Sequence, residues 1–231
     1  MSGSLTILLQ TLTDTSVLYA LWLTAKVALL TVALHAVAGL LLGYALSVPR
    51  WPGRALLDAA ITMPLVFPPI ALGFVLLLLL GREGLLGGWL LACCDLSLVF
   101  SVSGVVFAAF VAGLPLVVKP VQTAMETLSA RLGEVARTLG KREWEIVLFV
   151  LIPNVKRALA TGLVLGFGRS MGEVGITLML GGNIAGRTNT VSLEIYNAVF
   201  AGEYSRGIVL TALLGLASLA VFWFMRRAGM S

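Results

Sequence analysis

Five long apolar runs, separated by polar or turn-rich segments, set the pattern of this chain: 17–46, 59–80, 98–118, 159–180 and 208–225. A bilayer hydrocarbon core about 30 Å thick needs about 20 helical residues at roughly 1.5 Å each. Every run is close to that length or longer, so each predicts a spanning helix. The apolar stretch at 5–12 is too short to cross and reads as an interfacial turn stopped near Asp14, within a short N-terminal segment at 1–16. That segment carries no Lys or Arg, whereas a secretory signal begins with a basic region. The second run is interrupted by Pro64 and by Pro68-Pro69. Proline inside a span frees carbonyls that neighbouring groups must satisfy, so a kinked, buried helix is expected there. A further apolar segment, 85–94, is too short to span and is expected to lie at the surface.

Composition makes the membrane reading firm. Of 231 residues, 59% are hydrophobic and only 12% are charged, where soluble domains carry about a quarter charged. The mean hydropathy is +1.01. The expected fold class is one all-α integral membrane domain over 17–227, with a tail at 228–231. The net charge of +5 brings with it no basic helix and no aromatic RNA motif, so it does not point to nucleic acid.

The placement of the charge fixes an orientation. One set of connecting segments holds Arg50 and Arg54, then seven basic residues in the loop 119–158, then Arg226 and Arg227 in the tail. The opposite set holds only Arg82, Arg187 and Arg206. Lys/Arg-rich loops stay in the cytoplasm, so the N-terminus is outside and the C-terminus inside. Lys26 lies within the first run and is expected to snorkel outward. The adjacent Cys93 and Cys94 match no metal or disulfide spacing. His35, the single histidine, has no partner set with which to bind a metal and is expected to bond helix to helix.

The cytoplasmic loop contains EVARTLGKREWEIVLFVLIP at 134–153. It reads as a short helix, a break at Gly140, and a second helix carrying Trp144, Ile146, Val147, Phe149 and Val150, stopped by Pro153. An exposed helix-turn-helix between apolar spans suits docking to a soluble partner. Gly140-Lys141 is no phosphate-binding loop: Arg142 follows instead of Ser or Thr, and Val135 stands where the leading glycine would be. Any energy from ATP must therefore come from another subunit.

Glu134, Ala136, Gly140 and Pro153 fall at the spacings of the EAA loop of ATP-binding-cassette (ABC) importer permeases, and the segment resembles that loop. Val135, Val150 and Ile152 replace the family's Ala, Ile and Leu. The resemblance implies a type I importer transmembrane domain that works with a second copy of itself, two ATPase subunits and an extracytoplasmic binding protein. It implies no cofactor on this chain, with ATP-Mg bound by the ATPase subunits. The loop 119–158 would couple hydrolysis to transport, with Glu134 capping its helix or pairing with an Arg across the interface, or else standing as a solvated surface carboxylate.

A second constellation is GFGRSMGEVG at 166–175, read as the middle of the fourth span. Arg169 and Glu173 each cost about 2.5–3.5 kcal/mol near mid-bilayer when unpaired, so they must find partners. Arg before Glu at this spacing is the weaker order for a pair within one helix, so interhelical or cross-dimer pairing stays open beside it. The pair is a candidate gate or pathway lining, or else a buried structural ion pair. Gly162/Gly166 and Gly168/Gly172 are small-xxx-small pairs that let backbones approach closely. The polar segment 181–207 suits an outer loop carrying a short surface helix. Gly168 to Gly175 together with Gly182 to Thr190 look like the corresponding region of molybdate and tungstate permeases, with sulfate permeases more distant; the MPLVFPP run at 63–69 is similar to that group too. The implied cargo is molybdate or tungstate. Sulfate or another small solute is the alternative. A channel or intramembrane enzyme is remote, since neither a paired-Asp motif nor HExxH is present.

Overall fold

A computed structural model describes residues 9–227, and every element among them is helical. The apolar runs do form the predicted helices, but two are broken in ways that matter. Helix α1 (Thr15–Ser47) starts where the Asp14 carboxylate accepts the Ser16 N–H at 2.9 Å, as an N-cap does. Residues 9–13 form a helical turn ahead of it; the rest of the predicted turn at 5–12, and the tail at 228–231, lie outside the described residues. Helices α2 (Arg54–Val66) and α3 (Pro69–Leu80) occupy the predicted second span. That span is not continuous. Phe67 closes α2 by donating to the Met63 carbonyl at 2.8 Å, and Pro68 and Pro69 have no N–H with which to continue it. Helix α4 (Leu85–Cys94) follows α3 at an angle of 47°.

Helix α5 (Val102–Thr138) and helix α6 (Glu143–Met171) are each long and apolar enough to cross a membrane, as are α1 and, over Tyr204–Trp223, α9 (Tyr204–Arg227). The α3–α4 pair supplies a fifth span when counted as one bent unit. Two short helices, α7 (Gly175–Gly181) and α8 (Val191–Phe200), lie between α6 and α9. The predicted fourth span at 159–180 therefore ends at Met171 and resumes as α7. The α8 helix is also not a surface helix: Val191, Leu193 and Ala198 are buried, and the Val191 N–H donates to Thr24 Oγ1 of α1 at 3.0 Å.

Helices α1, α5 and α6 cross at the centre. Lipid tails are as apolar as leucine, so membrane helices associate through close packing and hydrogen bonds rather than hydrophobic burial. A Cβ on Gly166 would come within 2.7 Å of Val117 Cγ2, and one on Gly113 within 2.6 Å of both His35 and Ser170. Polar groups tie the same crossing. His35 Nε2 lies 2.8 Å from the Phe110 carbonyl and donates to it, and Ser170 Oγ donates to the Ala109 carbonyl at 2.7 Å. A second layer forms where α7 packs on α3 and α5 through Leu72, Leu80, Ala108, Ala112, Ile176 and Leu180.

The two ends of α1 lie about 50 Å apart by helical rise, and each end is stitched by its own ion pairs. At the end with the basic loops, Arg54 pairs with Glu126 at 3.0 Å and Lys119 pairs with Asp58. At the other end, Arg206 at the start of α9 reaches Asp14 and Glu194 at 3.1 Å each.

Candidate coupling and gating sites

The helix-turn-helix at 134–153 is built around Gly140. This residue has φ +76°, which only glycine adopts freely. Two bonds close the helix before it: Gly140 N–H donates to the Arg137 carbonyl at 3.0 Å, and Lys141 N–H to the Ala136 carbonyl at 3.1 Å. This is the Schellman pattern of helix termination. The next helix starts immediately, with Glu145 accepting the Arg142 N–H at 2.8 Å and Lys141 pairing with Glu145 at 3.2 Å. Across the turn, Arg137 grips Glu143 through two contacts, Nε to Oε1 at 2.6 Å and Nη2 to Oε2 at 3.2 Å. A forked guanidinium–carboxylate pair fixes orientation as well as distance.

The inner side of the hairpin is buried. Ala136, Ile146 and Leu151 pack with Tyr44, Leu128, Val147 and Val150. The outer side is apolar and bare: Val135, Leu139, Trp144, Leu148 and Phe149 are all more than half exposed, and the Trp144 and Phe149 rings meet edge-on at 6.4 Å. Glu134 is exposed and makes no ion pair among the described residues. Of the predicted loop residues, then, Ala136 and Gly140 shape the turn, Val150 and Ile152 are half-buried, and Glu134 and Trp144 face outward.

Pro153 does not stop the second helix. The helix runs through it from Glu143 to Met171, widening into a π-helical stretch over Ile146–Leu151. A π-helical stretch directly before the proline changes which carbonyls need a donor, and just after it Asn154 Nδ2 donates to the Val150 carbonyl at 2.7 Å.

The second site is the break between α6 and α7. Arg169 and Glu173 do pair with each other, Nη1 to Oε2 at 2.5 Å. The expected disadvantage of the Arg-before-Glu order does not apply, because the helix ends at Met171 and Glu173 lies beyond it. The other Glu173 oxygen accepts the Ile176 N–H at 2.8 Å and so caps α7. The Glu173 side chain is only 2% exposed, while Arg169 remains 30% exposed. Ser192 Oγ of α8 donates to the Met171 carbonyl and holds the end of α6 in place.

The packing glycines divide. Gly162 and Gly166 sit against Val117 and leave no room for a Cβ. Gly168 has no atom within 4 Å of a Cβ position, and Gly172 meets only the Gly168 carbonyl at 3.8 Å, so this pair packs no helices together among the described residues. Gly39 and Gly43 on α1, by contrast, press on Val117 and Val121. Sequence reasoning missed them, although their spacing of four was visible. It also missed the Arg206 cluster, in which the guanidinium bonds Ser16 Oγ at 3.0 Å as well as its carboxylates. The Asp14 carboxyl there is held below its ordinary range, chiefly by the Ser16 N–H, with the Arg206 charge assisting.

Comparison with known proteins fits this architecture. A family model described as the inner membrane component of binding-protein-dependent transport systems matches residues 36–228. The chain is 33% identical over 212 residues to the molybdenum transport system permease protein ModB of Escherichia coli (strain K12), covering 90% of this chain and 93% of that protein. It is 36% identical over 208 residues to ModB of Azotobacter vinelandii, covering 87% and 92%. It is also 34% identical over 217 residues to the sulfate transport system permease protein CysW of Synechocystis sp. (strain ATCC 27184 / PCC 6803 / Kazusa), covering 92% and 78%. Among solved structures, a bacterial ABC transporter involved in import of the acidic polysaccharide alginate has the same fold, with a TM-score of 0.77 at 14% identity over 96% of this chain and 82% of that one. The chain therefore belongs to the binding-protein-dependent transport system inner membrane component family, as a multi-pass inner-membrane permease subunit of an ABC importer and not itself an enzyme.

Proposed function

We propose that this permease carries molybdate or tungstate, received from an extracytoplasmic binding protein, and that it works as a pair of identical subunits on two ATPase subunits. The observation that carries the coupling part is the bare apolar face of the cytoplasmic hairpin. Leu139, Trp144 and Phe149 project from a turn locked by the Arg137–Glu143 fork. A stiff, unpartnered hairpin at a membrane protein's cytoplasmic end suits insertion into a groove of a soluble partner, where it moves as a lever when that partner closes on ATP-Mg. This chain binds no nucleotide in that scheme. The Arg169–Glu173 pair, placed at a helix break and half open on its Arg side, suits a gate whose rearrangement accompanies passage of an anion. Molybdate and tungstate are favoured by the 166–175 and 182–190 motifs and by relatives of molybdenum systems at up to 36% identity. Sulfate is the second reading, supported by sulfate permease relatives at 34%.

Titrating the partner binding protein with molybdate, tungstate and sulfate decides the cargo. Tight binding of molybdate and tungstate is expected, and binding of none of the three refutes the oxyanion reading. Reconstituted uptake with Glu134→Lys tests the coupling part: ATP hydrolysis is expected to separate from transport, and normal transport refutes the lever.

A further inference from the structure

Few basic residues lie on the outer side, which makes the position of each informative. Arg206 is occupied by Asp14, Glu194 and Glu203. Arg82 and Arg187 are exposed, and neither guanidinium has an ion pair or hydrogen bond among the described residues. Both nevertheless line one cavity of about 960 Å³, open to solvent, which they share with Glu83, Ser97 and Ser101. They come from loops far apart in the sequence: Arg82 from the α3–α4 turn and Arg187 from the α7–α8 loop.

Both arginines stand on fixed backbone. The Arg82 turn is closed by the Gly84 N–H on the Gly81 carbonyl at 2.9 Å. The Arg187 loop is held by its own N–H on the Ile184 carbonyl at 3.1 Å and by Tyr19 of α1, whose hydroxyl donates to the Arg187 carbonyl at 2.9 Å. Thr188 Oγ1 donates to the Gly181 carbonyl at 2.7 Å and accepts the Ile184 N–H at 2.9 Å. The opposite wall is tied to the same helix end, with the Phe100 N–H on the Leu180 carbonyl at 2.7 Å. Two like charges are thus directed at one space without a carboxylate bonded to either.

We propose that this cavity is an outer vestibule that holds a tetrahedral oxyanion dianion between Arg82 and Arg187. Guanidinium groups match the oxygens of such ions in geometry as well as charge. With Glu83 included, the lining carries one net positive charge, which a dianion overcompensates and a neutral solute does not use. The volume far exceeds one ion, so the ion stays partly hydrated and is bound through water as well as directly. Such binding is weak and quickly reversed, as a transit site requires. Glu83 weakens it further and speeds release.

This proposal rests on the oxyanion reading above, and its anion titration is run without the binding protein, which enters only in a separate docking control. Labelled sulfate is titrated onto the purified permease–ATPase complex at low ionic strength, with molybdate and tungstate as competitors. Saturable binding that salt weakens is expected. The R82Q/R187Q double variant should bind about tenfold more weakly, and Glu83→Gln should bind more tightly, each with an unchanged unfolding temperature. Absence of saturable binding in the wild type, or equal binding in R82Q/R187Q, overturns the proposal. So does a double variant that loses only its docking to the binding protein, since the arginines would then be protein contacts. A partner binding protein that ignores all three anions defeats the cargo reading. An oxyanion-specific binding protein combined with an inert cavity defeats the vestibule alone.

Discussion

Substitutions at Gly140 isolate the backbone of the proposed coupling turn from its surroundings. No atom lies within 4 Å of a Cβ at this position, so a new side chain meets no clash. What it meets is the left-handed backbone at φ +76°, which costs an L-residue about 1–2 kcal/mol and asparagine less. A penalty of that size shifts the ratio of closed to open turn by roughly 5- to 30-fold. Proline goes further. It fixes φ near −65° and removes the N–H that bonds the Arg137 carbonyl at 3.0 Å. Anions moved per ATP hydrolysed in proteoliposomes should therefore fall in the order Gly, Asn, Ala, Val, Pro. The unfolding temperature in detergent should change little, because the turn lies outside the α1–α5–α6 crossing. A Val or Pro variant with the wild-type transport ratio would refute the reasoning, as would an order unrelated to the cost of positive φ.

Other sites give separate tests. Glu173→Ala removes both the Arg169 partner and the cap on Ile176; it should destabilise the protein by about 3 kcal/mol, and a double Met replacement of Arg169 and Glu173 should recover part of that loss, read by thermal unfolding. Gly166→Ala drives a methyl to 2.7 Å from Val117 Cγ2 and should cost about 1–3 kcal/mol of stability, whereas Gly168→Ala should leave the unfolding of the single chain unchanged. The Asp14 carboxyl has a folded pKa below its ordinary 3.8. Its contribution is therefore complete above that value and is lost as pH falls through the lower folded value; Asp14→Asn should lower stability at neutral pH, leave it nearly unchanged at the acid end, and so flatten the acid limb of a stability–pH curve.

The elements that sequence made legible are those whose cause is local. The reversal at Gly140 follows from a glycine between two short amphipathic segments, and apolar run length places the spans. The errors arise where the chain answers to distant groups or to irregular backbone. Pro153 reads as a helix stop, yet a π-helical stretch before it lets the helix continue. The pairing of Arg169 with Glu173 depends on a break after Met171, and the glycine-rich 166–175 run does not mark on which residue that break falls. The Arg206 cluster joins residues as far apart as 14 and 206, and no periodicity connects them. Gly39 and Gly43 were readable as a packing pair, but only their neighbours in space, Val117 and Val121, distinguish them from Gly168 and Gly172, which meet no other helix among the described residues.

The central claim is that the hairpin at 134–153 faces the cytosol and is the handle gripped by the ATPase. Leu139, 76% exposed at the tip of the turn, is the place to test it, as Leu139→Cys in a background with the exposed native Cys93 and Cys94 replaced by serine. A membrane-impermeant maleimide should label that cysteine only in inside-out vesicles, and a short bifunctional cross-linker should join it to the ATPase subunit. Labelling from the outer face of sealed, right-side-out vesicles would contradict the account.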